Sequence, residues 1–432
     1  MLDIKFIREN KDLIKDAARK KHIKFDVDRL LTVDDARRKL IQTTEELRSK
    51  QNIESDRVVK IENEEEKKNL IEDLRSLKNR FLNAESELKR VTKEWNKLML
   101  EVPNIPDPSV PDGKDDEDNQ EIRKWGEKPK FSFSIQNHVD LMKNLDLVDF
   151  ERGTKVSGFR GYFLKNEAAQ LSMILWQWAI EEWIKKGFEL FLVPSMAREI
   201  NLFGTGHLPH GQEDVYKTQD NLYLSATAEI PFTGYYADEI LEEKDLPKKY
   251  VGFSPCFRRE AGSHGKDTKG LYRVHEFFKV EQFILCRADH QESVKWHEEM
   301  TQNSEGILQK LGLPYRVVVN CGGDIGRAHV KTYDIEVWIP TDKKYRESHS
   351  SSYYHDFQAR RLNIRYRDKN GKIYIAHTLN NTVIATPRIL ISLLENNQQE
   401  DGSILIPEVL QKYLGKDKIS KNSSINSLQD DS

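Results

Sequence analysis

From Leu70 to Val102 the apolar positions alternate at spacings of four and three: Leu70, Leu74, Leu77, Phe81, Ala84, Leu88, Val91, Trp95, Leu98 and Val102. That rhythm is the seam of a coiled coil. A weaker seam runs earlier through Val33, Ala36, Leu40, Thr43 and Leu47, and the stretch 48–68 between them is almost wholly polar. No glycine or proline precedes Pro103, so no helix breaker interrupts this region. A parallel dimeric coiled coil would hold one register throughout, whereas here the seam fails in the middle. The pattern therefore predicts two long helices folded back on one another, with a solvated tip near 55–68. Helices of about 33 residues would each reach roughly 50 Å at the helical rise.

Beyond Pro103 the pattern changes. Residues 103–130 carry Pro103, Pro106, Pro108, Pro111 and Gly113, then the acidic run Asp115 to Asp118, and read as an extended linker. From Phe131 onward, short β-rich runs such as KKYVGFSPCF, EQFILC, YRVVVN, TYDIEVWIP and IYIAHTL are separated by turns. Helical stretches over 167–186, 291–311 and 386–396 interleave with them. Adjacent strands joined by hairpins predict an α+β fold, an antiparallel β-sheet domain over 131–415 flanked by helices. The helical arm would occupy 1–102, and the Lys-, Ser-, Asn- and Asp-rich tail 416–432 reads as disordered.

Composition narrows the class without naming a partner. The formal net charge of −3 conceals a 32% charged content, so local charge must decide what the surface binds. Cys256, Cys286 and Cys321 lack metal-ligand spacing, which argues for thiols in a reducing compartment and against zinc. The N-terminus carries acids and no long apolar core, and the most apolar window, from Leu171, is too short to span a bilayer. A cytoplasmic protein with no membrane partner is expected.

Candidate chemistry concentrates in 257–281, FRREAGSHGKDTKGLYRVHEFFKVE. Its flanks alternate as strands do, placing Arg273, His275, Phe277, Lys279 and Glu281 on one face. Guanidinium groups for phosphate, a ring for a base and an acid for an ammonium or hydroxyl suit a bound nucleotide. No GxGxxG or GxxxxGK[ST] pattern opens a helix after a strand, so neither a Rossmann nor a P-loop site is indicated.

These features, with GFELFLVP at 187–194, GTGHLP at 204–209, TAE at 227–229, DFQARRLNIRY at 356–366 and HTLNNT…ATPR at 377–388, stand in order behind the helical arm. Together they resemble the bacterial-type seryl-tRNA synthetases, a family of class II aminoacyl-tRNA synthetases, from residue 1 to about 415. The resemblance implies serine activation by ATP to seryl-adenylate and transfer to the 3′ end of tRNA(Ser), and it admits tRNA(Sec) as a second acceptor. It implies a homodimer with the proline of the first motif at the interface, Mg²⁺ as cofactor, and tRNA bound through the coiled-coil arm.

By the same resemblance Arg258 and Arg388 are catalytic: Arg258 bridges the serine carboxylate and the α-phosphate, and Arg388 holds the far phosphates with help from Arg273. Serine would be bound by Thr227, Ala228, Glu229, Arg258, Glu281, Asn380 and Thr382, with Thr227 and Glu229, two apart on a strand, near the ammonium. ATP would meet Arg258, Arg259, Glu260, Arg273, Val274, His275, Glu276, Phe277, Glu347, Ser348, His349, Ser350 and Arg388. Phe277 would stack on adenine, although taken alone it reads equally as a core residue. Glu347 and Ser350 would hold the metal. Two departures stand out: Ser351-Ser352-Tyr353 replaces the family's Cys-Ser-Asn, placing a bulky Tyr353 beside the metal site, and Pro387 replaces the glycine before Arg388. A synthetase-like regulator without catalysis would lack Arg258, Glu347 or Arg388, and all three are present.

Overall fold

The computed structural model describes residues 1–261, 267 and 269–421, organised as two compact units, Met1–Pro103 and Asn104–Ser432. In the first, short helices Ile4–Glu9 and Lys11–Lys20 precede two long ones, Val27–Val58 and Glu64–Glu101. Each long helix begins on a side-chain cap. Asp26 accepts from the Arg29 N–H at 3.0 Å, and Asn63 accepts from those of Glu65 and Glu66 at 3.0 and 3.2 Å. Three glutamates in the first turn of the second helix complement its dipole. The helices run antiparallel: Arg29, near the start of one, pairs with Glu94, near the end of the other, at 2.9 Å, and Arg37 lies over the Trp95 ring. The polar middle remains helical because it is rich in helix formers and free of breakers. Thus the chain turns at 59–63, a tighter tip than the sequence suggested.

The second unit is built on an eight-stranded sheet. In spatial order its strands are Gln120–Trp125, Tyr315–Val319, Lys331–Ile339, Lys344–His355, His377–Thr386, Glu276–Cys286, Lys248–Phe257 and Glu189–Leu192. Neighbours pair antiparallel except the last, which lies parallel to Lys248–Phe257. Helices Asn166–Lys185, His290–Lys310 and Arg388–Asn396 pack on the sheet around Leu175, Trp183, Ile284, Leu308, Leu379, Val383 and Ile391. Burial of this apolar surface, at about 25 cal/mol per Å², is the main force holding the sheet and its helices together.

Two boundaries differ from the expectation. The segment 103–130 does not merely connect: Gln120–Trp125 forms the sheet edge, and the buried Asn104 amide donates to the carbonyls of Ala328 and Tyr354, both at 2.8 Å. Prolines forbid a helix there but allow extended chain that pairs at an edge. The start of the tail, expected to be disordered, is ordered, because Lys418–Ile419 pairs with Ile404–Leu405; residues 422–432 lie outside the described residues. Among the described residues no helix is long and apolar enough to cross a membrane.

Candidate active site

A cavity of about 310 Å³ opens on one face of the sheet. Three central strands supply its floor by alternation. Glu276–Cys286 presents Phe277, Lys279 and Glu281; His377–Thr386 presents Asn380 and Thr382; Lys344–His355 presents Ser348, Ser350, Ser352 and Tyr354. A register shift opposite Ile335 and Glu336 adds Glu347 to that face. The walls come from Arg258 and Glu260 after Lys248–Phe257, from Thr227 and Glu229, from the loop carrying Arg327 and His329, and from Arg388 at the start of its helix.

One end of the cavity is a closed hydrogen-bond network. Glu281 is fully buried. Its Oε2 accepts from Lys279 Nζ at 2.8 Å and from the Thr227 hydroxyl, and its Oε1 accepts from Asn380 Nδ2 at 2.8 Å. Asn380 donates its other amide hydrogen to Glu229 at 3.0 Å and accepts from Tyr354 Oη at 2.8 Å. Gln358 donates to Glu229 at 2.6 Å. Burial alone would raise the Glu281 carboxyl, but Lys279 and the hydrogen bonds from Thr227 and Asn380 hold it below the usual range. Burial, then the neighbouring Glu281 charge, pushes Glu229 up to about 7. The two carboxyls are thus driven apart, one fixed as an anion and one poised near neutrality.

The other end is cationic. Arg388 donates to Glu347 Oε2 at 3.3 Å and to the Tyr272 carbonyl at 3.2 Å. Desolvation would raise Glu347, whose side chain is still 49% exposed, but Arg388, Arg258 and Arg273 together hold it down. Behind it the buried Asp334 is raised well above its ordinary value by burial and by Glu347. The Arg258 guanidinium lies 5.2 Å from the Phe277 ring centroid.

Several expected residues stand elsewhere. The alternating face begins only at Glu276, because 271–275 is a turn. Val274 therefore lines the cavity, and Arg273 does not; it pairs with Glu260 at 2.9 Å. His275 and Glu276 face a second, more apolar cavity of about 680 Å³ with Tyr162, Trp176 and Phe278. Arg259 lies off the cavity lining, its main chain held by Asp214. Thr227 and Glu229 are not on a strand but on a turn leading into the helix Glu229–Gly234; the turn still aims both inward. Ala228 between them packs into the core. His349 alternates away from the cavity and bonds the Val383 carbonyl at 3.0 Å. Tyr353 does the same: its hydroxyl donates to Asp107 at 2.8 Å and its ring packs against His297, so it does not crowd Glu347. Pro387 caps the helix of Arg388. His264 and Lys266 of the 257–281 hairpin lie outside the described residues.

Lys279, Tyr354, Gln358 and Asp334 were absent from the expected site. Lys279 has a signal in its place on the alternating face, and Gln358 in the DFQARRLNIRY motif; Tyr354 and Asp334 have none. The His207 ring, also on the wall, is held down to about 4 by burial, then by Arg258 and Lys279.

Residues 1–106 match the model of the seryl-tRNA synthetase N-terminal domain, and 214–397 match the class II tRNA synthetase core domain of the G, H, P, S and T enzymes. A serine–tRNA ligase of Deinococcus radiodurans is 47% identical over 422 residues, covering 96% of this chain and 98% of its own. The chain belongs to the seryl-tRNA synthetase family. Its Dictyoglomus turgidum relative is 45% identical, with 97% and 99% covered. A seryl-tRNA synthetase from Pyrococcus horikoshii complexed with ATP superposes with a TM-score of 0.90 at 41% identity, covering 98% of this chain and all of that one. A Naegleria fowleri cytoplasmic enzyme in complex with AMP superposes at 0.85 and 30% identity, covering 98% and 99%. The family's class II catalytic core and helical N-terminal arm are both present here.

Proposed function

We propose that the two ends of this cavity divide the work of serine–tRNA ligation. The chain activates L-serine with ATP to seryl-adenylate, releasing pyrophosphate, and transfers the seryl group to the 3′ end of tRNA(Ser). Arg258, between the two ends, meets both the serine carboxylate and the α-phosphate and stabilises the charge that builds as they react. No protein nucleophile is needed; positioning and neutralisation carry the step. Arg388 faces the outer phosphates, and Phe277 stacks on adenine. The oxygens of Glu347 and Ser350 are the donor type Mg²⁺ prefers; these residues would hold the ion, which would supply further neutralisation of the phosphates.

The observation that carries the serine assignment is the state of Glu281. A carboxylate offers about four acceptor positions. Three are occupied by Lys279, Thr227 and Asn380, which leaves one on Oε1 for a substrate hydroxyl. Thr382 adds its own hydroxyl to the same wall. The Thr227 hydroxyl is fully engaged by Lys279, Glu281 and the Glu229 N–H, so the ammonium is assigned to Glu229 instead. Loss of a hydroxyl partner leaves a buried acceptor unpaired, which rejects alanine by up to about 10⁴-fold.

The N-terminal arm binds tRNA(Ser), reading shape and phosphates more than base edges. A second copy of the chain covers the sheet edge Glu189–Leu192, where Leu190, Leu192 and the nearby Met196 and Ile200 are exposed. The protein acts in the cytoplasm. ATP–pyrophosphate exchange with serine, threonine, alanine and glycine side by side tests the assignment. Serine alone should support rapid exchange; no exchange with serine overturns the activity, and preference for another amino acid overturns its specificity.

A further inference from the structure

Lys279 is nearly fully buried, at 5% exposure, and is ion-paired with the buried Glu281. Its Nζ donates to Thr227 Oγ1 at 2.7 Å and to Glu281 Oε2 at 2.8 Å. An ammonium has only hydrogens to give. Thr227 must therefore receive from Lys279, and its single hydroxyl hydrogen has one acceptor left in reach, Glu281 Oε2. The second Thr227 lone pair faces the Glu229 N–H at 3.3 Å. A cation at one position thus sets the direction of the Thr227 hydroxyl beside the proposed hydroxyl site.

The alternative arrangement shows what this achieves. Glu229 and Glu281 share one donor, Asn380 Nδ2, and both are buried in the cavity wall. Two buried carboxyls so linked tend to hold a proton between them. Without Lys279, Glu281 would take up that proton, turn into a donor, and no longer demand a donor from the substrate. Thr227 would be free to rotate and offer its hydrogen elsewhere. The site would then accept a methyl group with little penalty, since no anion would be left unpaired.

We propose that Lys279 is a positioning residue that fixes the hydrogen-bond polarity of the amino-acid pocket, orienting Thr227 and leaving Glu281 a single free acceptor, and so makes the pocket select a side chain that donates a hydroxyl proton. The proposal rests on the assignment of serine to this end of the cavity. Lys279 acts through Glu281 and Thr227, so its removal affects discrimination and the pH profile more than the use of ATP.

The test is pyrophosphate exchange by the full chain and its K279M variant, with serine and alanine, from pH 5.5 to 9. The parent first establishes serine-dependent exchange; if it shows none, the serine assignment fails rather than the role of Lys279. In K279M the preference for serine over alanine should fall by at least about tenfold, toward that of a site lacking the oriented acceptor. The acid limb of kcat/KM for serine should also move upward by about one pH unit or more, because Glu281 then ionises later. The KM for ATP should change by less than about threefold, and K279R, which restores a cation, should recover part of the discrimination. A K279M enzyme with parental discrimination and an unmoved acid limb overturns the proposal. If K279M does not bind ATP, T227V carries the test: it removes the oriented hydrogen bond while keeping shape, and unchanged discrimination against alanine overturns the proposal equally.

Discussion

The arm and the catalytic unit are both ordered, but by different means. Along the 32 residues of Val27–Val58 only Val27, Leu30, Asp34 and Leu47 are buried, and along the 38 of Glu64–Glu101 only Val91 and Met99. The 11-residue strand Glu276–Cys286 buries every residue from Lys279 to Cys286. The arm is a thin seam clad in charge, held by helix propensity, caps and exposed, solvent-screened pairs such as Arg90–Glu87. The catalytic unit encloses polar groups in a buried core, where a cation such as Lys279 gives the hydrogen bonds around it a fixed direction. A thin solvated arm suits reach and phosphate contact; a buried, directed network suits discrimination between two small amino acids.

The sharpest way to separate the two is to disable each in turn. Arg258→Ala removes the charge proposed to meet carboxylate and α-phosphate, and should lower kcat for serine-dependent exchange by about 10³-fold with little change in thermal stability. Replacing the exposed Lys68, Arg75, Lys78 and Arg80 of the arm by glutamine should do the opposite. Exchange should stay within about twofold of the parent while kcat/KM for tRNA aminoacylation falls by roughly 10- to 100-fold, with a shallower dependence on salt. If exchange collapsed in the arm variant as well, the division of roles would be wrong.

Acid distinguishes the units next. Burial holds His297 and His349 down to about 4 in the folded catalytic unit, and His355 and His377 likewise. A histidine depressed on folding contributes stability that is complete above its ordinary value of 6.5 and is lost as pH falls toward 4. For His297 and His349, almost wholly buried, a shift of that size corresponds to about 3 kcal/mol each. Glu229 runs the other way: raised to about 7, it favours the folded state as pH falls from 7 to its unfolded value, and so offsets part of the loss. Every tryptophan except Trp95 lies in the catalytic unit. Tryptophan emission should therefore shift to the red between pH 6 and 4 while the helical signal of an isolated arm peptide is retained over the same range. Simultaneous loss of both would contradict the contrast.

The same contrast explains what could be read from the chain. A seam repeated from Leu70 to Val102 announces itself, because one face is buried turn after turn. The site was legible where side chains carry their meaning alone: Arg258, Glu347 and Arg388 converge on one cavity as the family pattern implies. It was illegible where meaning depends on a partner far along the chain. Lys279 lay visibly on the strand face, but only folding brings Thr227, 52 residues earlier, within 2.7 Å of it. Spacing also misled locally. Thr227 and Glu229 are two apart on a turn, not a strand, and the alternation extended back to Arg273 stops at Glu276. Gln120–Trp125 carries no such signal, because an exposed edge strand has no buried face to alternate.

The smallest expected effect concerns packing. Leu77 lies in the middle of the arm seam and is only half-buried, whereas Leu379 at the centre of the sheet is fully buried. Truncating Leu379 to alanine should cost about 2–5 kcal/mol, because the surrounding core cannot collapse into the space left. Leu77→Ala removes less contact, and water can fill the gap, so about 1 kcal/mol is expected. The location should differ as well as the size. In L77A faster amide hydrogen exchange should be confined to the arm, since few side chains beyond the neighbouring turns touch that position. In L379A protection should fall across the strands of the sheet together. A uniform loss of protection in L77A would mean that the arm and the catalytic unit share one cooperative transition, and that the seam contributes to the core after all.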